Sequence, residues 1–235
     1  LQSPEVFDVL QAAADHNESP MTVVGRDVEL LTTTPGVGGQ VIDFRLRNGE
    51  YRSIPLPLFG LHQADNAVLA AAAVEQFLGG GEKEIARDVV EDALAHSTSP
   101  GRLQVVSHQP TVIIDAAHNP HGAESLARAL MQSFQFETLV VVLGVLRDKD
   151  ARGIVEALDP LADMFVVTQS ESDRAVPAED LAEAVVPVAG PDRTSWRENV
   201  VEAIVLAQRQ AGPDGGVVVT GSVTLIAEAL EWAGR

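Results

Sequence analysis

From residue 103 to the end of the chain, short apolar runs rich in valine and isoleucine alternate with amphipathic stretches of helical period. Such runs are typical of buried strands. Strands that alternate with helices pair in parallel, because each helix carries the chain back across the sheet. The sequence therefore predicts an α/β fold, with a Rossmann-like, mainly parallel sheet that has helices on both faces. The predicted strands are 103–107, 111–114, 138–143, 164–168 and 216–220, and the predicted helices are 121–134, 151–158, 178–186, 198–210 and 223–233.

The first hundred residues follow a different pattern, and we predict two domains, 1–100 and 101–235. Segments of alternating apolar and polar residues flank Asn48-Gly49. This pair is expected to supply the positive φ angles of a hairpin turn. Alanine-rich sequence then favours a helix. The run 97–101 is the predicted linker. The predicted elements are a helix within 1–17, a strand within 22–31 with a turn near Gly25, hairpin strands 40–47 and 50–54, and helices 61–77 and 82–95.

A glycine-rich run at 36–39 looks at first like a phosphate loop. It lacks the Gly-Lys-Ser/Thr that ends such loops, and it precedes a strand rather than a helix. We therefore interpret it as a plain turn.

Composition narrows the classes of function. With a formal net charge of -18, the chain lacks the basic surface on which nucleic-acid binding depends. The absence of cysteine excludes disulfides and cysteine-ligated metals. No apolar run reaches the about 18 residues that a membrane span requires. The sequence therefore predicts a cytoplasmic protein with neither nucleic-acid nor membrane partners.

Polar residues follow the predicted strand at 111–114. They include Asp115, His118 and Asn119, and Asn119-Pro120 is predicted to begin the next helix as its cap and first residue. The carboxyl edge of a parallel sheet is where α/β folds bind ligands, and a helix amino terminus favours anions. This loop is therefore the predicted chemical site.

Each of these side chains also has a plainer interpretation. Asp115 could accept from ribose hydroxyls, bind Mg²⁺ through water or orient His118, or it could only cap the loop. His118 could contact a phosphate or a carboxylate, or it could be a packed or surface residue. Asp150 and Ser222 also follow predicted strands, and each could serve only as a helix cap.

Three residues further upstream are candidates for contact with a nucleotide or another anion. His62 and Asn66 lie one helical turn apart, and the amide of Asn66 can pair with the edge of adenine. The alternative is that Asn66 caps or packs the start of its helix. Arg102 follows the predicted linker, where its guanidinium could fork onto a phosphate or carboxylate, or form a salt bridge at a hinge.

Taken together, these stretches resemble the folylpolyglutamate synthase/dihydrofolate synthase family of the Mur ligase superfamily. The matching motifs lie in the family's order, at 61–67 (LHQADNA), 100–103 (PGRL), 115–120 (DAAHNP), 148–150 (DKD) and 220–222 (TGS). The resemblance implies ATP-dependent formation of an amide bond. A carboxylate of a folate or of dihydropteroate is phosphorylated, and the amino group of L-glutamate attacks the acyl phosphate.

The resemblance also implies roles that the residues alone left open. It gives Asn66 contact with adenine and adds His62 to the nucleotide site. It gives Arg102 contact with phosphate or ribose, and it gives Asp115 a role in nucleotide binding. The implied cofactors are ATP and Mg²⁺.

The glutamate site is predicted from the loops 116–120 and 220–222, because both should lie on the carboxyl edge of the sheet and introduce helices. The free amides and partial positive charge of helix amino termini suit the two carboxylates of glutamate. Asn119 and Ser222 are the predicted binding residues. His118 is predicted to bind substrate and to act in catalysis, as a donor to a carboxylate or by steadying the acyl phosphate.

The sequence departs from the family pattern at one point. Family members carry an upstream phosphate loop ending in Gly-Lys-Ser/Thr, with Glu and His ligands for Mg²⁺, whereas this sequence has no Gly-Lys pair. We therefore expect residues 1–100 to be the tail of a central ATP-binding domain, and the chain to be the carboxyl-terminal portion of a longer ligase. Its partner would be the amino-terminal half of the same enzyme, which would hold the metal ligands, and the chain alone would be inactive.

Two other functions are compatible with parts of the pattern. A non-catalytic Rossmann-like binding module would also lack a phosphate loop. A Mur-type ligase acting on a cell-wall precursor is the second alternative, and His62-Gln63 and the DKD motif at 148–150 argue against it.

Overall fold

A computed structural model describes residues 4–234. The chain divides into two compact units, of which the first ends at Thr98 and the second begins at Ser99. Across the part of the chain that the structure describes, no helix is long and apolar enough to cross a membrane.

The first unit is built on a three-stranded antiparallel sheet. Its elements are α1 (Pro4–His16), β1 (Glu29–Gly36), β2 (Gly39–Arg45), β3 (Glu50–Leu56), α2 (Leu61–Gly79) and α3 (Arg87–Ala95). The strands pair in chain order, and their inward residues form an apolar core with one face of α2. Within this core, Phe44 stacks on Tyr51 with the ring centroids 5.0 Å apart.

The strand predicted at 22–31 is wrong in position, since β1 begins only at Glu29, whereas the turn predicted near Gly25 is confirmed. The preceding residues close a turn, in which the Asp27 carboxylate accepts from Val23 N at 2.9 Å. Gly25 makes this turn possible with a φ of +87°. A local hydrogen bond therefore overrides the alternation that indicated a strand.

The helix predicted at 82–95 is shorter than expected and begins at Arg87. Tyr51 Oη donates to Ile85 O at 2.8 Å, which holds the segment before the helix against the sheet, and residues 82–86 of this segment are neither helix nor strand. The contact is non-local, so the helical pattern could not reveal it.

The predicted hairpin is confirmed, but the reason given for its turn is wrong. Neither Asn48 nor Gly49 has a positive φ. Instead, Asn48 Nδ2 donates to Gly81 O at 2.9 Å, and a Cβ on Gly49 would lie 2.7 Å from Glu84 Cγ. The pair therefore permits close approach of the loop between α2 and α3. The glycine run 36–39 is a tight turn between β1 and β2, as predicted.

The second unit is built on a six-stranded, mostly parallel sheet. Its elements are β4 (Gln104–His108), β5 (Thr111–Ile114), α4 (Pro120–Ser133), β6 (Leu139–Leu143), α5 (Ala151–Leu158), β7 (Met164–Val167), α6 (Ala178–Ala189), a 3₁₀ turn (Pro191–Arg193), β8 (Thr194–Trp196), α7 (Val200–Ala211), β9 (Gly216–Thr220) and α8 (Val223–Ala233). The strand order is β4-β5-β9-β6-β7-β8, and only β4 is antiparallel to its neighbour. Because β9 returns between β5 and β6, the carboxyl ends of these three strands lie side by side.

Alternation along the strands divides the core of this unit into two layers. Val140 and Val217 pack with Ile204 of α7 and Leu225 of α8. The strand residues that alternate with these, such as Val218, are equally buried on the opposite face of the sheet. On that face, α4, α5 and α6 pack in succession. Helices therefore cover both faces, as predicted.

Two predictions for the second unit need correction. The strand β8 is absent from the prediction because its three residues are half-buried or exposed and form no apolar run. The helix α6 was expected to stop before Pro187, yet it continues to Ala189. Val185 and Ala189 are buried in the core, and this packing outweighs the hydrogen bond that Pro187 cannot donate.

Candidate functional site

Loops after β5, β9 and β6 meet at the carboxyl edge of the second unit's sheet. Ala117 O accepts from Gly221 N at 2.9 Å and from Thr220 Oγ1 at 3.2 Å. Gly144 N donates to Thr220 O at 3.2 Å. The two loops predicted to form the glutamate site are therefore adjacent, and each leads into the amino terminus of a helix.

Gly221 is the tightest point of this junction, with a φ of +116° and an ideal Cβ that would lie 2.6 Å from Gly144 O. Gly221→Ala should lower the free energy of unfolding by more than the about 1–3 kcal/mol that an unfavourable φ alone costs. The excess arises because a carbonyl oxygen of the sheet edge cannot move aside. Gly212→Ala is the control, since Gly212 has a φ of +72° but nothing within 4 Å. Equal losses in urea unfolding would show that the contact with Gly144 is unimportant.

Asp115 anchors the segment that enters the second unit. Its two carboxylate oxygens accept from Leu103 N at 2.9 Å and from Ala117 N at 2.8 Å, and the residue is 6% exposed. Next to it, Ala116 N donates to Gly101 O at 2.8 Å. The observed contacts give Asp115 a structural role in positioning the loop, and its role in nucleotide binding stays a prediction.

His118 and Asn119 lie at the start of α4. Asn119 Oδ1 accepts from Gly122 N at 2.8 Å, and Pro120 is the first helical residue, so the predicted cap is confirmed. The half-buried His118 has its Nδ1 3.0 Å from Ala116 O. Because a carbonyl oxygen can only accept, Nδ1 carries the proton. The Nε2 atom is therefore the one that His118 can offer to a ligand.

Ser222 caps α8 through an Oγ that accepts from Leu225 N at 3.2 Å, and the residue is 2% exposed. Its hydroxyl also lies 3.2 Å from Thr224 Oγ1, which in turn lies 2.9 Å from Ser170 Oγ. Neither Thr224 nor Ser170 stands out in the sequence. Ser170 belongs to a loop without a motif, and Thr224 lies beyond the position at which a cap residue is expected.

The loop after β6 carries the DKD motif. Asp148 pairs with Lys149 Nζ at 3.1 Å and with Arg174 Nη2 at 2.6 Å. The hydrogen bonds from Lys149 and then Arg174 lower the pKa of Asp148. Asp150 caps α5, since its carboxylate accepts from Gly153 N at 2.9 Å. Asp148 therefore also joins its loop to the segment after β7, whereas Asp150 is engaged within its own helix.

The candidate nucleotide-binding residues lie in both units. In the first unit, His62 and Asn66 are exposed on one face of α2. Asn66 Nδ2 donates to Gln63 Oε1 at 3.3 Å, and the helix cap is Gly60, so the interpretation of Asn66 as a cap is wrong. In the second unit, Arg102 is exposed, and its guanidinium has no ion pair or hydrogen bond with the described residues.

A metal cage cannot be assigned to this part of the protein. Within residues 4–234, no group of three or more histidine or acidic side chains is placed to hold a metal ion. Asp115, for which a water-mediated contact with Mg²⁺ was one possibility, already directs both oxygens to backbone amides.

The fold of the second unit is that of the glutamate ligase domain of Mur ligases. Residues 101–223 match the Mur ligase glutamate ligase domain family, and the chain belongs to this family. It is similar to the dihydrofolate synthase/folylpolyglutamate synthase of Mycobacterium tuberculosis, with 42% identity across 100% of this chain and 51% of the relative. These matches confirm the predicted resemblance.

Solved structures agree with this assignment. Mycobacterium tuberculosis folylpolyglutamate synthase complexed with ADP has a TM-score of 0.94 and 41% identity, over 100% of this chain and 54% of that one. Escherichia coli FolC in complex with DHPP and ADP has a TM-score of 0.81 and 26% identity, over 97% and 50% of the two chains. The α/β fold class is therefore confirmed, and the chain spans about half the length of the relatives that it matches.

Proposed function

We propose that this chain is the carboxyl-terminal portion of an ATP-dependent ligase that joins L-glutamate to a folate, to dihydropteroate, or to both. The observation that carries the proposal is a pair of helix amino termini, those of α4 and α8, which follow the adjacent parallel strands β5 and β9 inside the matched domain. The names of the relatives support a folate rather than a cell-wall precursor as the acceptor. A cytoplasmic location stays a prediction.

The paired helix termini suit an amino acid that has two carboxylates. The caps Asn119 and Ser222 each occupy one first-turn amide, and further amides of these turns are left to face a ligand. The helix dipoles add partial positive charge at the same points. We assign the carboxylates of glutamate to this edge, with Asn119 and Ser222 as the residues that shape it.

His118 is the proposed catalytic base, in place of the donor role predicted from the sequence, because the proton on Nδ1 leaves Nε2 as an acceptor. Its Nε2 lone pair, fixed by the proton on Nδ1, accepts a proton from the α-ammonium group of glutamate. The neutral amine then attacks the carbonyl carbon of the acyl phosphate, so that the C–N bond forms and the C–O bond to phosphate breaks. The departing phosphate takes the second proton that the nitrogen loses.

Contacts with a nucleotide are proposed for exposed side chains of each unit separately. Asn66 would pair with the adenine edge, with His62 one turn away on the same helix face. Arg102, which has no partner among the described residues, would contact phosphate or ribose. The two relatives cited above were solved with ADP, which supports ATP as the substrate. Mg²⁺ belongs in this proposal to the amino-terminal half.

We assign the first unit to a larger ATP-binding domain because α2 is apolar on both faces. Val68 faces the core of the unit, whereas Leu69 is 42% exposed and Phe77 88% exposed. A helix that is apolar all round is normally buried all round. In the complete ligase, the amino-terminal half would cover this second face, at whose start His62 and Asn66 stand.

Two substitutions in the complete ligase test the proposal by their opposite effects. Asn66→Ala should raise the KM for ATP and leave that for glutamate unchanged, since losing a base-edge pair costs about 1–3 kcal/mol, or about 5- to 150-fold. Ser222→Ala should raise the KM for glutamate about tenfold at unchanged KM for ATP. Phosphate release, measured with each substrate varied in turn, gives both values.

Asn199→Ala is the matched control, because Asn199 caps α7 beside the edge strand β8, away from β5 and β9. It should alter neither KM. If Asn66→Ala and Ser222→Ala fold and keep both parental KM values, the assignment is wrong. The isolated chain should show only background release of ADP, and turnover near 1 s⁻¹ would mean that it needs no amino-terminal half.

A further inference from the structure

Three hydroxyl groups form a connected row at the start of α8. Ser170 Oγ, in the loop after β7, lies 2.9 Å from Thr224 Oγ1, and Thr224 Oγ1 lies 3.2 Å from Ser222 Oγ. Ser170 is 5% exposed and Ser222 is 2% exposed, whereas Thr224 is only half-buried. The middle member of the row is therefore the one with access to a ligand.

The protons of this row can be assigned from the burial of its members. Each hydroxyl has one proton to donate, and a buried donor needs an acceptor. Within residues 4–234, the only acceptor that the structure gives to the Ser170 and Ser222 hydroxyls is Thr224 Oγ1. An oxygen with two lone pairs can accept from both. Donation from both sides directs the proton of Thr224 outward, away from the row.

We infer that Thr224, the second residue of α8, donates its hydroxyl proton to a carboxylate of the incoming amino acid. The inference rests on the glutamate site proposed above and moves the direct contact from Ser222 to Thr224. Ser222 and Ser170 become positioning residues, whose buried hydroxyls fix the direction in which Thr224 donates. A carboxylate only accepts, so a donor with one fixed direction suits it.

The competing role for the row is purely structural, because it also joins α8 to the loop after β7. A second bond joins the same two segments, since Glu228 Oε1 accepts from Glu171 N at 2.8 Å. If Thr224 only joins them, its loss should resemble the loss of Glu228. The two roles therefore differ in whether glutamate binding changes or only stability.

Thr224→Val in the complete ligase keeps the shape of the side chain and removes the hydroxyl. We expect the KM for glutamate to rise on the order of tenfold, with the KM for ATP and kcat close to the parental values, since a lost hydrogen bond to a charged group has this size. Thr224→Ser should restore the parental KM. Ser222→Ala combined with Thr224→Val should raise it no further than Thr224→Val alone, because Ser222 acts through Thr224.

Glu228→Ala is the control that removes the other bond to the same loop, and it should lower Tm without changing the KM for glutamate. A parental KM in Thr224→Val, beside a raised KM in Ser222→Ala, overturns the inference and leaves the glutamate site standing. Parental values in both variants overturn the glutamate site itself. If Thr224→Val does not fold, Ser170→Ala provides the same comparison, and it too should raise the KM for glutamate.

Discussion

Replacing Asp115 by alanine is expected to lower the free energy of unfolding of the second unit by about 2–6 kcal/mol. Leu103 N and Ala117 N would each lose a carboxylate acceptor in a buried setting. A buried donor left without an acceptor costs about 1–3 kcal/mol, and two are lost together. Asp115→Asn should cost about half as much, because one oxygen remains while the new amide group faces a backbone N–H.

Tryptophan fluorescence during urea unfolding measures this effect in the chain itself. Both tryptophans of the sequence, Trp196 and Trp232, lie in the second unit, so the signal reports that unit alone. Asp150→Ala is the control, since it removes one helix cap and should cost about 0.5–2 kcal/mol. A loss in Asp115→Ala no larger than this would contradict the role of Asp115 as an anchor.

Arg102 lies between two residues, Gly101 and Leu103, whose backbones are held by hydrogen bonds to the loop at Asp115. Gly101 O accepts from Ala116 N, and Leu103 N donates to Asp115. The backbone on either side of Arg102 is thereby fixed. We therefore expect Asp115 to influence a nucleotide chiefly by presenting Arg102. Substitution of Asp115 should therefore change the KM for ATP only together with the free energy of unfolding. Arg102→Ala should change the KM for ATP and leave the free energy of unfolding unaltered.

The sequence predicted the second unit well because its elements are marked locally. Buried strands such as 111–114 and 216–220 are continuous apolar runs, and Asn119 and Ser222 mark where helices begin. The strand β8 has no such mark, since it is a short edge strand. In the first unit, a long-range contact such as that of Tyr51 with Ile85 determines where a helix begins, and the local sequence pattern does not reveal such a contact.

The site shows the same division between local and non-local information. The motifs located the loops after β5 and β9, and the strand order explains why those loops meet. The sequence could not show that Ser170 lies beside Thr224, because 54 residues separate them and only the sheet brings them together. It also could not show that Asp115 is buried, since an acidic residue in a polar loop is normally exposed.

His118→Asn is expected to lower kcat of the complete ligase about 100-fold or more, the usual contribution of a positioned base. An asparagine amide can still donate to Ala116 O, as Nδ1 of His118 does at 3.0 Å, so the loop should keep its shape. The substitution removes Nε2 and with it the group that accepts a proton from the amine. The KM for glutamate should change little, because the carboxylate contacts lie elsewhere.

His121→Asn is the matched control for this experiment, because it makes the same change three residues along, at a side chain that is 88% exposed. It should leave kcat, both KM values and Tm unaltered. Single-turnover formation of the amide from a preformed acyl phosphate would place the loss of rate in His118→Asn at the attack of the amine. A normal kcat with a raised KM for glutamate would instead make His118 a binding residue. A lowered Tm would make it a structural one, and either result would remove the base from the proposed reaction.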